Sequence, residues 1–511
     1  MNQIGTSIAD DLRQIVGPEN VLTDIEDLYV YSYEHVFRKQ QYPKLDVVLR
    51  VSSKEQAQEV FELAKKKGFT VIRRSVGKTE GFRFTRSPIV LVDDTAPSKL
   101  ERSSTTKEKE NIEKYAKEIF RAGHGTFRNF ALALKTLFMK MPANKCLDRV
   151  TCSGYCTVAP AFNNVETWSS KGRALLIRGF TGRELQPSRK LMDVLYTCSL
   201  CGLCFAECFE DTQVRKAIMD TRRHIAEKGL APDLFTVAAK NVLVTGDVAG
   251  TPTAKRFGWM RNLSIKPVEK ADVLFWVGCV VASRTPNTAM AVANVLGRAD
   301  VDFALLAEKE GCCGYVLLAS GLWKEAKEVA LRVVERMKKT GAKVLVTSCA
   351  GCYYTFSKLY PEVLNVELPC EVRHTSQFAY GLIKDDLLEL GELNLKLAYH
   401  DPCSLGRHSG VFDEPRDLLK AVPCLRLVEM PLTRRHARCC GAGGGVWSFN
   451  YQVSVDSAFV RLAQDVVPLG VDTLATACPT CQVNLRHASV KKSLGIKTYD
   501  VMEIVAKSAC A

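Results

Sequence analysis

Nowhere in this chain of 511 residues is there an apolar run of the about 18 residues needed to cross a bilayer, and the N-terminus is not signal-like. A spanning helix and export are therefore not expected, and the chain reads as cytoplasmic. Aromatics make up only 8% of it, and they are not interleaved with the basic residues in the manner of a nucleic-acid module. Nucleic acid is set aside as a partner. The formal net charge of +14 then fits an acidic partner, an anionic surface or a solvated basic face. No nucleophile and base stand together as a hydrolytic pair. At Gly441-Ala442-Gly443-Gly444-Gly445 no helix-opening G-x-G-x-x-G follows a strand, which argues against a nucleotide loop.

What the chain has in quantity is cysteine, 20 residues of it. A reducing compartment does not favour disulfides, and clustered C-x2-C spacings point to metal. Cys370, Cys424 and Cys510 lie outside any motif and read as small buried residues or surface thiols. The double cysteine Cys439-Cys440 is the organising feature. Cys403 lies upstream in His400-Asp401-Pro402-Cys403 and Cys478-Pro479-Thr480-Cys481 downstream, giving C-x35-C-C-x37-C-x2-C. Cys279, Cys312-Cys313-Gly314 and Cys349-Ala350-Gly351-Cys352 give C-x32-C-C-x35-C-x2-C. Matching positions are offset by 124, 127 and 129 residues, so one fold is duplicated.

The length suggests roughly three or four domains. Residues 1–100 read as a small α+β domain, with helices over 8–16 and 53–67 and strands over 46–51, 70–73 and 89–92. Residues 101–144 read as linker and amphipathic helices. In the latter, Phe127, Phe130, Leu134, Phe138 and Met141 share a face, and residues 121–150 carry six Arg or Lys against one acid, Asp148. Two readings are open for that helix: peripheral contact with the inner face of a membrane, or packing on a neighbouring domain or subunit.

Residues 145–235 hold two further cysteine groups. Cys198-x2-Cys201-x2-Cys204-x3-Cys208 has the spacing of a bacterial-type [4Fe-4S] motif. In Cys146-x5-Cys152-x3-Cys156 the fourth cysteine is replaced by Ala159 before Pro160. Cys208 can complete a cubane with Cys146, Cys152 and Cys156. The other site is then a [3Fe-4S] cluster or a [4Fe-4S] cluster with a foreign ligand; alternatively a single cubane is built on Cys198 to Cys208. Structural zinc is the competing reading. Beyond, apolar strands over 273–276, 344–347, 397–399 and 473–476 run straight into cysteines and alternate with helices, which predicts parallel sheets with sites at the carboxyl ends of their strands. The whole chain is therefore expected to be α/β in class.

Two resemblances follow. Val21-Leu22-Thr23-Asp24, Asp27-Leu28-Tyr29, Tyr31-Ser32 and residues 47–64 resemble the first subdomain of the flavin-binding half of glycolate oxidase and D-lactate dehydrogenase subunits. Arg74 to Gly81 is short of the glycines of that family's pyrophosphate loop, and the second half of the flavin domain is missing, so a docking remnant without FAD is expected. Residues 140–511, with Ser169-Ser170-Lys171-Gly172-Arg173, His400-Asp401-Pro402-Cys403, Gly406-Arg407 and both C-C-G blocks, resemble the cysteine-rich (CCG) domain proteins. These include the B and D subunits of heterodisulfide reductase and the iron–sulfur subunits of glycolate, lactate and glycerol-3-phosphate oxidases. The resemblance implies an α-helical ferredoxin domain over 145–235 and CCG domains over 270–385 and 395–511. It also implies two noncubane [4Fe-4S] clusters, one on Cys279, Cys312, Cys313, Cys349 and Cys352 and one on Cys403, Cys439, Cys440, Cys478 and Cys481. Ser404 departs from the histidine that relatives carry there.

Three functions follow from the resemblance. The first is an iron–sulfur oxidoreductase subunit doing disulfide and thiol redox chemistry at the CCG cysteines, fed by an electron-donor protein. The second is an electron-transfer subunit of a 2-hydroxyacid dehydrogenase, passing electrons from a separate flavoprotein to a quinone or other carrier. The third is a non-enzymatic iron–sulfur scaffold.

Overall fold

The protein is described by a computed structural model covering residues 6–32, 45–75, 78–80, 89–93, 156–206, 214–263, 267–268 and 270–510. The expected linker and amphipathic helices of 101–144, together with Cys146, Cys152 and Cys208, lie outside the described residues. The chain divides into two compact units, and the stretch 145–235 contributes to both: residues 164–186 belong to the first, and 156–163, 187–206 and 214–235 to the second.

In the first unit, strands β1 (Val21–Leu22), β2 (Val47–Arg50), β3 (Thr70–Ser75), β4 (Lys78–Glu80) and β5 (Ile89–Asp93) form one sheet in the order β1-β2-β5-β3-β4. β2, β5 and β3 are parallel, as a strand, helix, strand run requires, and the outer strands pair antiparallel. The connecting helix Lys54–Lys67 begins where Ser53 accepts a hydrogen bond from the Gln56 amide and ends at Gly68, whose φ of 76° suits a left-handed cap. Leu12, Val47, Leu49, Val60, Val71 and Val90 make its core. Of the Arg74–Gly81 stretch, the described residues pair at the edge of the sheet, with Arg74 opposite Thr79 and Ser75 opposite Lys78. The helix Ser170–Thr181 also belongs here. Thr167 donates to Asp27 at 2.5 Å, and Lys171 pairs with Glu166 at 3.1 Å. Gly172 is obligatory in its motif, because a Cβ would stand 2.1 Å from the Glu166 carbonyl oxygen.

The second unit contains the duplication. β6 (Val273–Phe275), β7 (Phe303–Ala304), β8 (Val344–Thr347) and β9 (Glu371–His374) run parallel in the order β7-β6-β8-β9. β10 (Leu395–His400), β11 (Leu425–Val428), β12 (Thr473–Thr476) and β13 (Lys497–Asp500) run parallel in the matching order β11-β10-β12-β13. The repeats do not bury separate cores. Phe275, Val292 and Leu296 of the first pack in one continuous cluster with Leu397, Leu474 and Val505 of the second. Helix Pro286–Arg298 lies on helix Val501–Ala509, and Thr288 and Gln482 both donate to Glu503, at 2.6 and 2.8 Å. This shared core turns the strand ends of both sheets toward the same place.

A single side chain ties the cysteine loop after helix Arg189–Tyr196 to both repeats. Arg222, fully buried in helix Val214–Glu227, donates to the carbonyls of Leu195 (2.6 Å), Cys198 (2.8 Å), Ala319 (2.7 Å) and Gly444 (2.9 Å). Its guanidinium also lies 4.9 Å over the Tyr196 ring. Four carbonyls would be left short of a donor by Arg222→Met. Hydrogen bonds to a charged group each contribute roughly 1.5–3 kcal/mol, so the variant is expected to lose about 3 kcal/mol or more, read as a lower urea midpoint. Arg222→Lys, which cannot span all four carbonyls, should fall between the two.

Candidate metal centres

In the first repeat β6 ends in Trp276-Val277-Gly278, and Cys279 opens a short helix. The turn is held from inside by Glu310, which accepts from the amides of Val277 (2.9 Å) and Gly278 (2.6 Å). Burial pushes this carboxyl up to about 7 against the pull of those two amides. Cys279 and Cys312 stand with sulfurs 3.9 Å apart, and the Gly314 amide donates to Cys312 at 3.3 Å. Cys349 caps helix Ala350–Tyr354 at the end of β8, and Cys352 lies one turn on. Cys313 touches both Cys312 and Cys352, and those contacts pull its thiol down to about 6 despite burial.

The second repeat copies this arrangement. Cys403 and Cys439 are 4.0 Å apart at sulfur, and the Gly441 amide donates to Cys439 at 3.3 Å. Gly441 has φ 86° and no room for a Cβ, which would meet the Ser454 carbonyl oxygen at 2.7 Å. Contacts with Cys439 and then Cys481 hold the Cys440 thiol well below its usual range. The His400-Asp401-Pro402-Cys403 turn is held from outside. Arg416 grips Asp401 through both nitrogens at 2.6 and 2.8 Å, and the Arg434 amide adds a third bond at 2.9 Å. Burial alone would raise the Asp401 carboxyl, but Arg416 outweighs it and keeps it below the normal range.

The two sets meet. Cys349 lies against Cys478, and that contact pulls the Cys478 thiol well down. All five cysteines of the first set, with Cys403, Cys440, Cys478 and Cys481 of the second, line a single cavity of about 520 Å3. Val280, Val316 and Trp447 make apolar parts of its wall, Ser404 also lines it, and Arg284 and His487 bring basic groups to it.

Of the ferredoxin-type cysteines, Cys156 packs beside Val158, Val446 and Val453, Cys198 and Cys201 lie on the loop whose Cys198 carbonyl Arg222 holds, and Cys204 lies in the short helix Leu203–Ala206 that follows. Cys201 reaches Cys439, and the contact pulls the Cys201 thiol well below its usual range. Spacing alone gave no sign of this junction. Arg407 secures it by donating to the carbonyls of Cys201 (2.9 Å) and Ala437 (2.6 Å), and His408 Nε2 is 3.0 Å from the Leu200 oxygen. The glycine run has its reason here too: a Cβ on Gly443 would stand 2.7 Å from the Ser199 oxygen, and one on Gly444 2.5 Å from the Cys198 oxygen.

The domain model described as "Cysteine-rich domain" matches residues 273–357 and 397–486. The D subunit of the dihydromethanophenazine:CoB–CoM heterodisulfide reductase of Methanosarcina barkeri is 32% identical over 348 residues, 67% of this chain and 85% of that one. The chain belongs to the CCG cysteine-rich family. This CCG protein is also similar to the B subunit of the fumarate reductase (CoM/CoB) of Methanothermobacter marburgensis, 31% identical over 61% of each chain. The iron–sulfur-binding oxidoreductase FadF of Bacillus subtilis is 28% identical over 61% of this chain and 46% of its own. The CCG protein is thus an iron–sulfur oxidoreductase-type subunit. The donor set fits such a group, since five soft sulfur donors per site, backbone amides aimed at sulfur and glycine-lined approaches suit iron–sulfur clusters. Among the described residues no helix is long and apolar enough to cross a membrane.

Replacing one sulfur in each set separates the sites. Cys313→Ser and Cys440→Ser should each lower the iron content of anaerobically purified protein by roughly four atoms per chain. Each variant should leave the other set's iron in place, as measured by iron and sulfide assay with Mössbauer spectroscopy.

Proposed function

We propose that this chain is the disulfide-handling subunit of a multi-subunit reductase of heterodisulfide reductase type, working with a separate electron-donor protein. The observation that carries the reading is the single cavity lined by nine of the ten cysteines of the two sets, with Cys349 of one against Cys478 of the other. A disulfide presents two adjacent sulfurs, and its reduction needs two electrons and two protons to give two thiols. Iron–sulfur groups held by Cys279, Cys312, Cys313, Cys349 and Cys352, and by Cys403, Cys439, Cys440, Cys478 and Cys481, supply electrons singly when bound. Around them the chain's own residues act as a binding site. Val280, Val316 and Trp447 exclude water from the reacting sulfurs, and Arg284 and His487 offer charge and hydrogen bonds to a polar end of the substrate. The Cys198–Cys204 loop, through Cys201 at Cys439, makes the second repeat the entry side for electrons. Cys146, Cys152, Cys156 and Cys208 are proposed to hold a cubane on the donor side.

The test is EPR of anaerobically purified protein, oxidised with and without a dithiol and its disulfide. A paramagnetic signal that appears on oxidation only when thiol is present, and is lost in both Cys349→Ser and Cys478→Ser, supports the proposal. Cubane signals indifferent to thiol would make the chain a conduit between a flavoprotein and its acceptor, and the proposal would fall.

A further inference from the structure

Two buried ring nitrogens stand at equivalent places in the duplicated fold, beside the sulfurs. His400, the last residue of β10, is fully buried, and among the described residues neither Nδ1 nor Nε2 makes a hydrogen bond of ordinary geometry, although the ring stands against the Cys440 thiol. A ring nitrogen of His400, Cys440 Sγ and Cys481 Sγ all lie within 4.8 Å of one another. One repeat earlier, by the 124-residue offset, stands Trp276, also fully buried, with Nε1 lacking a partner. Its Nε1 is 3.8 Å from the point where a Gly278 Cβ would be built, and Cys352 Sγ is 3.3 Å from the same point. Cys352 and Cys481 are themselves counterparts, 129 residues apart.

An indole N–H can only donate, and burying one without an acceptor costs about 1–3 kcal/mol. One such group is an isolated cost. Two at matched positions, each near the matched last cysteine of its repeat, indicate an acceptor at that spot in each repeat. Sulfur of an iron–sulfur group fits, because it carries negative charge and accepts N–H bonds. Resting on the iron–sulfur reading above, we infer that Trp276 and His400 each donate one ring N–H hydrogen bond to sulfur of the cluster in their own repeat. Each bond stabilises the more negative, reduced form and so raises that cluster's reduction potential. The pair also makes the sites unequal: the tryptophan is fixed by its edge-on contact with Phe356, at 5.1 Å between centroids, and has one donor, whereas the imidazole has two nitrogens that can serve.

The inference is tested on the full-length iron-loaded protein in two ways. Pulsed EPR of wild type carrying 15N-labelled histidine or tryptophan should show a weak nitrogen coupling for each, of the size of a hydrogen bond to sulfur. Each coupling should vanish in His400→Phe or Trp276→Phe. In EPR-monitored redox titrations, His400→Phe should lower the potential of the second-repeat signal alone and Trp276→Phe that of the first alone. A shift of about 59 mV corresponds to a tenfold lower reduced-to-oxidised ratio at fixed potential. His400→Gln, which keeps an N–H, should recover most of the shift. A strong coupling typical of direct nitrogen ligation, or unmoved potentials at full iron content, would overturn the inference while leaving the iron–sulfur reading standing. Wild-type protein without iron would overturn both.

Discussion

Sulfur crowding is the constraint from which the second unit is built. Nine cysteines of the two sets line one cavity, and the tenth, Cys439, meets Cys201. The duplication preserves the sulfur contacts as well as the fold: Cys279 and Cys312 stand 3.9 Å apart at sulfur, and Cys403 and Cys439 4.0 Å. Backbone amides at Gly314 and Gly441, each 3.3 Å from the first sulfur of its double cysteine, complete the match.

Much of this frame was legible in the sequence. The strands ahead of Cys349 and Cys478 coincide with β8 and β12, because a short apolar run ending at a C-x2-C has little freedom to be anything but a buried parallel strand. The five-cysteine spacing picked out residues that the fold brings together. What the sequence withheld depends on contacts between distant residues. The common core that turns the two repeats together joins side chains such as Val292 and Val505, more than 200 positions apart. Gly443 and Gly444 stood out in the sequence only as part of a glycine run that is no nucleotide loop, whereas their closest restraint is the backbone of Ser199 and Cys198. Trp276 was visible as an apolar strand residue, and nothing local distinguishes it from ordinary core.

The repeats are not copies in every respect, and their differences are chemically coupled. Where the first has Val277-Gly278, the second has Asp401-Pro402; where the first has Glu310, the second has Ala437. Gly278 presents an amide at φ 82°, and Glu310 answers it. Pro402 presents no amide, and an acceptor at 437 would have one donor fewer to meet. The second turn is instead anchored through the Asp401 side chain, by the guanidinium of Arg416. One turn is held from within by a carboxylate, the other from without by an ion pair.

That exchange changes what surrounds each sulfur set. The first keeps Glu310 at its back, a carboxyl whose burial brings it near neutrality, with Trp276 as its ring donor. The second places its carboxylate in a closed ion pair with Arg416, leaving His400 as the polar group that faces Cys440 and Cys481. Cys201 meets only the second set among these contacts, through Cys439. The first set therefore lies beyond the second from the ferredoxin-type loop, and the Cys478–Cys349 contact joins them at the cavity. Under the proposed function the two sites meet different demands, since both open on the cavity and the second also meets the Cys201 loop. A duplicated fold can meet them by keeping the sulfur sets equal and changing the polar groups that surround each, since those groups tune a metal site without altering its ligands.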